Sequence, residues 1–138
     1  METVIADTGF VVALTNLADT RHTEVRAVYT RYTQILLPQT ALVEIAYLLG
    51  RDAGIQVVVA FLQGLPASRF ILTELISEDI SRIGEILTQY ADSKVDFVDA
   101  SVMAIAERLN IKTILTIDQR DFRLFRPKHC QSFTILPS

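Results

Sequence analysis

The fold is indicated most clearly by residues 3–17, which read TVIADTGFVVALTNL. Residues 3–6 are β-branched or apolar, and the turn formers that follow them predict a short buried strand that stops near Asp7. Residues 10–17 then carry the apolar content of a buried helix. A strand followed directly by a helix is the repeating unit of α/β proteins with a parallel sheet.

The same alternation of short apolar runs and longer amphipathic segments continues along the chain. Further strands are predicted at residues 35–37, 70–72, 113–116 and 133–136. Further helices are predicted from about residue 20 to residue 32 and at residues 39–51, 54–65, 77–90 and 96–109, with Ser77 as an N-cap and a polar turn after Thr116. We therefore predict one α/β domain over residues 1–138 with a mostly parallel central sheet.

Composition excludes several classes of protein. The longest apolar run, residues 57–62, is far shorter than the ~18 residues of a membrane span. Glu2 and Asp7 flank the first apolar segment, which argues against a signal peptide. The single cysteine, Cys130, excludes an intramolecular disulfide and a cysteine-based zinc site. We expect a cytoplasmic protein without membrane attachment.

The net charge of −3 limits how the chain could hold a nucleic acid. Proteins that bind nucleic acid by general electrostatic attraction are usually basic. Either this chain does not bind nucleic acid, or it holds the phosphate through something other than side-chain cations, such as a bound metal ion.

Four acidic residues occupy positions where a parallel sheet places its ligands. Asp7 and Asp118 follow predicted strands, Asp99 lies in the first turn of an apolar helix, and Glu44 lies between apolar residues of another helix. Ligands bind beyond the carboxyl ends of the strands in open α/β sheets. Converging carboxylates repel one another unless a cation neutralises them. An all-oxygen pocket of this kind suits Mg²⁺ or Mn²⁺.

A purely structural interpretation of these acids remains open at this point. Asp7 and Asp118 are candidate N-caps, because Asp satisfies the free N–H groups of a helix start. Asp96 and Asp99 have the spacing of a capping box, as do Asp118 and Asp121.

Four short motifs occur in order along the chain: Asp7-Thr8-Gly9, residues 40–44 (TALVE), Asp99-Ala100, and residues 116–122 (TIDQRDF). In order, spacing and total length, the set resembles the PIN domain family, and within it the VapC toxins of prokaryotic toxin–antitoxin pairs. The resemblance implies a three-layer α/β/α sandwich with a mostly parallel central sheet. It also implies a metal-dependent endoribonuclease, in which a metal-activated water hydrolyses RNA phosphodiester bonds.

The resemblance also assigns residues to the site. The catalytic and metal-binding quartet that it implies is Asp7, Glu44, Asp99 and Asp118, with Mg²⁺ or Mn²⁺ as the cofactor. Additional site residues that it suggests are Asp96, Asp121, Thr116 and Thr8.

Two further features point to macromolecular partners. The only basic run follows the last acidic motif and is a candidate RNA-binding surface; it comprises Arg120, Arg123, Arg126 and Lys128. The predicted helix at residues 54–65 carries more apolar residues than one buried face needs, and an exposed apolar patch would indicate a protein partner. The family resemblance implies a homodimer that binds a small antitoxin.

Two other functions compete with the toxin interpretation. One is a PIN nuclease that processes RNA without an antitoxin. The other is a non-enzymatic acidic α/β binding or signalling module. A receiver-type module needs an acidic pair after its first strand and a lysine after a late one, whereas here Asp7 stands alone and the late strand is followed by Asp118. A phosphatase with an aspartyl nucleophile would need Asp at position 9, which is Gly.

Overall fold

A computed structural model describes residues 2–138 and contains a five-stranded sheet in the order β3-β2-β1-β4-β5. All four neighbouring pairs are parallel. The strands are β1 (Val4–Ala6), β2 (Ile35–Pro38), β3 (Phe70–Thr73), β4 (Thr113–Leu115) and β5 (Thr134–Leu136). The predicted α/β class and the parallel sheet are confirmed.

Helices cover both faces of the sheet. The helices are α1 (Thr8–Thr15), α2 (His22–Tyr29), α3 (Ala41–Ala53), α4 (Ile55–Gly64), α5 (Ser77–Gln89), α6 (Phe97–Arg108) and α7 (Arg120–Leu124). Helices α1 to α4 contribute to one hydrophobic core, and α5, α6 and α7 contribute to the other. The arrangement is therefore the three-layer sandwich that the family resemblance implied.

The alternation of side chains along each strand creates the two cores. In β1, Val4 and Ala6 belong to the core beneath α1, whereas Ile5 points to the core beneath α6. In β4, Leu115 and Ile114 divide in the same way. Successive residues of a strand face opposite sides, so strands covered on both faces are apolar at every position. No helix among residues 2–138 is long and apolar enough to cross a membrane.

The structure corrects three details of the sequence prediction. Helix α1 begins at Thr8 and ends at Thr15, two residues earlier at each end than predicted. The N-cap position of α5 is Ile76 rather than Ser77, and the Ile76 N–H donates to Asp79 Oδ2 at 3.0 Å. The expected polar turn after Thr116 contains α7, a helix too short for its periodicity to be recognised.

The strand order gives the sheet one topological switch point, between β1 and β4. From β1 the chain first runs outward to β2 and β3, and it later returns to pair β4 with the other side of β1. The carboxyl ends of β1 and β4 therefore flank a topological switch point, where the connections leave in opposite directions and a crevice is open to a ligand.

Candidate active site

Asp7 lies at the switch point, between the end of β1 and the start of α1. Its backbone N–H donates to the carbonyl oxygen of Leu115 at 2.9 Å, which ties it to the end of β4. Asp7 occupies the N-cap position of α1, yet its carboxylate makes no capping hydrogen bond. The residue is only 6% exposed, and its Oδ1 atom is buried without a hydrogen-bond partner. Helix capping therefore does not account for this carboxylate.

Two buried threonines lie beside Asp7. Thr116 Oγ1 is 3.3 Å from Asp7 Oδ2 and 3.2 Å from the main-chain oxygen of Asp118, and the hydroxyl donates toward both acceptors. The Thr8 hydroxyl is buried and has no partner. Buried polar atoms are nearly always hydrogen bonded in folded proteins. Two unsatisfied oxygens at one place, on Asp7 and Thr8, therefore mark a site built to hold something other than protein atoms.

The first turn of α6 brings Asp99 to the same place. Asp96 is the N-cap of α6, and its Oδ1 accepts from the Asp99 N–H at 2.9 Å. In return, Asp99 Oδ2 accepts from the Asp96 N–H at 3.1 Å. The capping box that the spacing allowed is thus present. It uses one oxygen of each carboxylate and holds the Asp99 side chain against the helix end.

Asp118 and Asp121 do not form the second capping box. The N-cap position of α7 is Gln119, and its side chain donates to the carbonyl oxygens of Thr116 and Pro137 instead. Asp118 is exposed, whereas Asp121 is buried, and burial together with the nearby charge of Asp118 raises the pKa of Asp121.

A single pocket of about 450 Å³ receives all of these acids. Glu44, half-buried on α3, lines the same pocket. The polar lining consists of six carboxylates, two cationic side chains and Thr8: Asp7, Glu44, Asp96, Asp99, Asp118, Asp121, Lys94, Arg120 and Thr8. Every acidic residue that the sequence suggested lines this one pocket, and the remaining candidate, Thr116, is hydrogen bonded to Asp7.

Crowding of acids in a partly dry pocket changes their protonation. Burial raises the pKa of Asp7 to about 7, with smaller contributions from the charges of Glu44 and Asp96. Burial also raises the pKa of Asp99 to about 8, and the charge of Asp7 adds to the effect. Burial and the crowding of negative charge, which Lys94 and Arg120 at the lining do not offset, therefore favour the protonated form of both carboxyls.

The donor set fits a hard divalent cation, but the protein alone does not form a complete cage. Among residues 2–138, no three His, Cys, Asp or Glu side chains are grouped closely enough to hold a metal ion. The lining nevertheless offers only oxygen ligands, among them the unsatisfied Asp7 Oδ1. Oxygen ligands with room for water are what Mg²⁺ and Mn²⁺ prefer. The residues present therefore fit such an ion by chemistry.

The four basic candidates have separate environments. Arg120 lines the acidic pocket, and Arg120 and Arg123 both line a neighbouring pocket. Arg126 instead donates to carbonyl oxygens at the end of α7, the nearest being that of Arg123 at 2.8 Å. The Lys128 ammonium lies 3.5 Å from a carboxylate oxygen of Glu85 on α5. Of this basic run, only Arg120 lines the acidic pocket, and Arg123, Arg126 and Lys128 lie outside it.

Sequence reasoning missed two cationic residues. Lys94 lines the acidic pocket, and Arg21 lines the neighbouring one. Both lie in connections between helices, where no periodic pattern marks a residue. The position of Lys94 two residues before Asp96 is the only signal that could have identified it.

Comparison with known proteins gives consistent results. The family model described as PIN domain matches residues 4–126. The curated protein Ribonuclease VapC26 of Mycobacterium tuberculosis is 27% identical over 135 residues, which cover 97% of this chain and 100% of that protein.

Solved structures agree in fold. Mycobacterium tuberculosis VapC20, described as a Sarcin-Ricin loop cleaving toxin, matches with a TM-score of 0.77 and 22% identity, over 84% of this chain and 90% of that one. DNA-bound VapBC from Salmonella typhimurium matches with a TM-score of 0.71 and 15% identity, over 98% and 97% of the two chains.

Proposed function

Because this chain belongs to the PIN domain family, we propose that it is an endoribonuclease of a toxin–antitoxin system and that the acidic pocket is its active site. The convergence of six carboxylates at the switch point of the sheet carries this proposal. The similarity to a protein named as a ribonuclease supports RNA as the substrate class.

We propose that Asp7, Glu44, Asp99 and Asp118 hold Mg²⁺ or Mn²⁺. The bound ion would supply Lewis acidity for water activation and positive charge for the developing negative charge on the phosphate. Asp96 positions Asp99 through the capping box, and Thr116 positions Asp7 through its hydroxyl. Outer partners of this kind orient the groups that touch a metal.

The pocket must also admit an anionic substrate past its own carboxylates. Lys94 and Arg120 are the two cationic side chains in its lining, and Arg120 lies directly beside Asp118 in the sequence. We propose that these two side chains contact the RNA backbone at the mouth of the pocket, where charge-assisted hydrogen bonds to phosphate oxygens are strong.

Asp99→Asn tests the proposed cleavage of RNA. Asp99→Asn keeps an oxygen that accepts from the Asp96 N–H, so the helix start survives while the charge is lost. We expect purified wild-type protein to cleave RNA in Mg²⁺ or Mn²⁺. The variant should be at least about a hundredfold slower, because removing a charge that acts on the reacting atoms usually costs that much in rate. Gel analysis of RNA, with DNA of the same sequence in parallel, measures this.

The matched control is Asp92→Asn, which neutralises an exposed acid in the turn before α6, outside the pocket. It should cleave like the wild type. Equal activity of Asp99→Asn and wild type would overturn the assignment of the pocket, and cleavage of DNA but not RNA would overturn the substrate class.

Thr116→Val tests the positioning of Asp7. Valine has the shape of threonine but leaves both Asp7 Oδ2 and the Asp118 carbonyl without this donor. We expect cleavage to fall by about 10- to 100-fold, the usual cost of losing an outer-shell partner, and the metal concentration for half-maximal rate to rise. Thr116→Ser should restore most of the rate. A fully active Thr116→Val protein would contradict the positioning role.

We also propose that the protein is a homodimer that binds a small antitoxin. Helices α3 and α4 carry large apolar side chains that lie in water in the single chain: Val43 is 80% exposed, Ile55 70% and Tyr47 66%. Val43 and Tyr47 are four residues apart and therefore lie on one face of α3, and exposed apolar surface of this kind indicates a protein interface. The Salmonella typhimurium structure, which is described as VapBC bound to DNA, supports a partner of the antitoxin type.

Light scattering tests the dimer. We expect the purified chain, without antitoxin, to have twice the molar mass of one chain, because burial of this apolar face stabilises association. The mass of a single chain at micromolar concentration would contradict the proposal.

A further inference from the structure

A second pocket, which we call the arginine pocket, adjoins the acidic one. It has a volume of about 560 Å³, and its cationic lining consists of Arg21, Arg120 and Arg123. The two pockets share Asp118 and Arg120, so they are neighbours along one surface. A polymer lying across the acidic pocket at this side would therefore continue into the arginine pocket.

The arginines reach this pocket from two distant parts of the chain. Arg21 lies in the connection before α2, whereas Arg120 and Arg123 lie on α7. The only acidic side chain in the lining is Asp118, which the acidic pocket shares. Arg21 is paired with Glu24, so in the part of the chain that the structure describes the guanidinium groups of this pocket without a carboxylate partner are those of Arg120 and Arg123.

The donors of these arginines are largely free for a ligand. Among residues 2–138, neither Arg120 nor Arg123 forms an ion pair with a carboxylate. Arg123 uses one Nη atom to donate to Gln119 Oε1 at 2.7 Å, and Arg21 uses its Nε to donate to Glu24. A guanidinium carries five N–H donors, so each side chain keeps several.

Arginines in another pocket of the molecule behave differently. Arg82 lies 2.7 Å from a carboxylate oxygen of Glu107, and Arg108 lies 2.9 Å from one of Asp79. Both pairs lie in a pocket formed with α5 and α6, and their charges are compensated within the protein. In the arginine pocket only Arg21 has a carboxylate partner, the exposed Glu24, whereas Arg120 and Arg123 have none among residues 2–138. This is the difference expected between a binding site and a structural ion-pair network.

We propose that the arginine pocket binds a backbone phosphate of the RNA strand that flanks the phosphate being cut. This inference rests on the proposed ribonuclease function and adds a subsite to it. The planar guanidinium forks of Arg21 and Arg123 match the paired oxygens of a phosphodiester. The subsite holds the strand in register, so that the scissile bond lies over the carboxylates, and it does so without reading the base.

Kinetics of two single variants test the subsite. Arg21→Gln and Arg123→Gln each remove one charge; the ion pair of Arg21 with Glu24 is exposed, so its loss should hardly affect folding. We expect each variant to raise KM for single-stranded RNA about tenfold with kcat little changed, since hydrogen bonds to charged groups are worth about that factor. The slope of log KM against log salt should fall by about 1 for each arginine. Arg26→Gln, on the exposed side of α2, is the control and should change neither quantity.

A neutral linkage in the substrate locates the contact. The substrate is an RNA whose cleavage site has been mapped, and an uncharged methylphosphonate replaces the phosphodiester at one flanking linkage at a time. At one linkage, the increase in KM that the methylphosphonate causes in the wild type should match the increase caused by Arg123→Gln. At that linkage the modified RNA and the variant together should raise KM no further, because both changes remove the same contact. Additive losses at every linkage would overturn the subsite. Unchanged KM and salt slope in both variants, with intact cleavage, would also overturn it while leaving the ribonuclease proposal standing. A wild-type protein that cleaves no RNA would instead remove the ribonuclease proposal and the subsite together.

Discussion

Asp7→Asn is expected to abolish RNA cleavage and, in the absence of metal, to stabilise the folded protein. The rate should fall by about a thousandfold or more, because the side chain loses the charge that the proposed cation needs and that no neighbour at this position replaces. Asparagine retains an oxygen that accepts from Thr116, so the local structure should persist.

The gain in stability follows from the direction of the pKa shift. Burial raises the pKa of Asp7 from 3.8 to about 7, so the folded protein binds a proton more tightly than the unfolded chain does. The free energy of unfolding therefore falls as pH rises from about 4 to about 7, and the loss is complete above that range. Each pKa unit corresponds to about 1.4 kcal/mol, which sets an upper limit of roughly 4 kcal/mol. Asparagine carries no charge and escapes this penalty.

Thermal unfolding in EDTA measures the effect. At a pH above both raised pKa values, we expect the Tm of Asp7→Asn to exceed that of the wild type by about 5 °C or more. The difference should shrink as the pH falls and should vanish below about pH 3, where the wild-type carboxyl is protonated in both the folded and the unfolded state. The exposed Asp92→Asn should leave Tm unchanged. A Tm of Asp7→Asn below the wild-type value at high pH would show that the buried charge is already compensated within the protein.

Divalent metal should offset the loss of stability that ionisation of Asp7 causes in the wild type. Mg²⁺ or Mn²⁺ added at high pH is expected to raise Tm, because an ion that binds only the folded state stabilises it by about 3 kcal/mol at a hundred times its Kd. The increase should be largest where Asp7 and Asp99 are both ionised and small at low pH, since protonated carboxyls are poor ligands. EDTA should abolish it.

The two site variants serve as controls for that increase. Asp7→Asn and Asp99→Asn should each lose most of the metal-induced rise in Tm, whereas Asp92→Asn should keep it. An equal rise in all four proteins would place the stabilising ion elsewhere on the molecule.

The positions of the acidic residues were predictable because they depend on regular elements. The strand before Asp7 alternates between two cores, and the apolar helix that contains Asp99 has an unmistakable start, so both acids could be assigned to the carboxyl edge of the sheet. Glu44 could be placed on the helix that begins after Pro38, where it is a charged residue among neighbours that are almost all apolar. The parallel sheet then brings these elements together.

The cationic residues were harder to predict because irregular segments position them. Arg21 and Lys94 lie in connections whose path depends on tertiary packing. Sequence adjacency placed Arg126 and Lys128 beside Arg120, but the carbonyl oxygens at the end of α7 attract Arg126, and Glu85 attracts Lys128. The spacing of Asp96 and Asp99 allowed a helix cap, and so did the position of Asp7 before α1. Only the structure shows that Asp96 caps its helix with a side-chain hydrogen bond and that Asp7 does not.

The central claim is that one divalent ion site, formed by the acidic pocket, makes the chain a ribonuclease. Its most direct test follows Mn²⁺ binding by electron paramagnetic resonance and RNA cleavage in the same Mn²⁺ titration, for the wild type and for Asp7→Asn. We predict that cleavage is absent in EDTA, rises in parallel with Mn²⁺ bound to the wild type, and is lost in the variant together with that binding. Cleavage that persists in EDTA, or Mn²⁺ binding that is unchanged in Asp7→Asn, would contradict the claim.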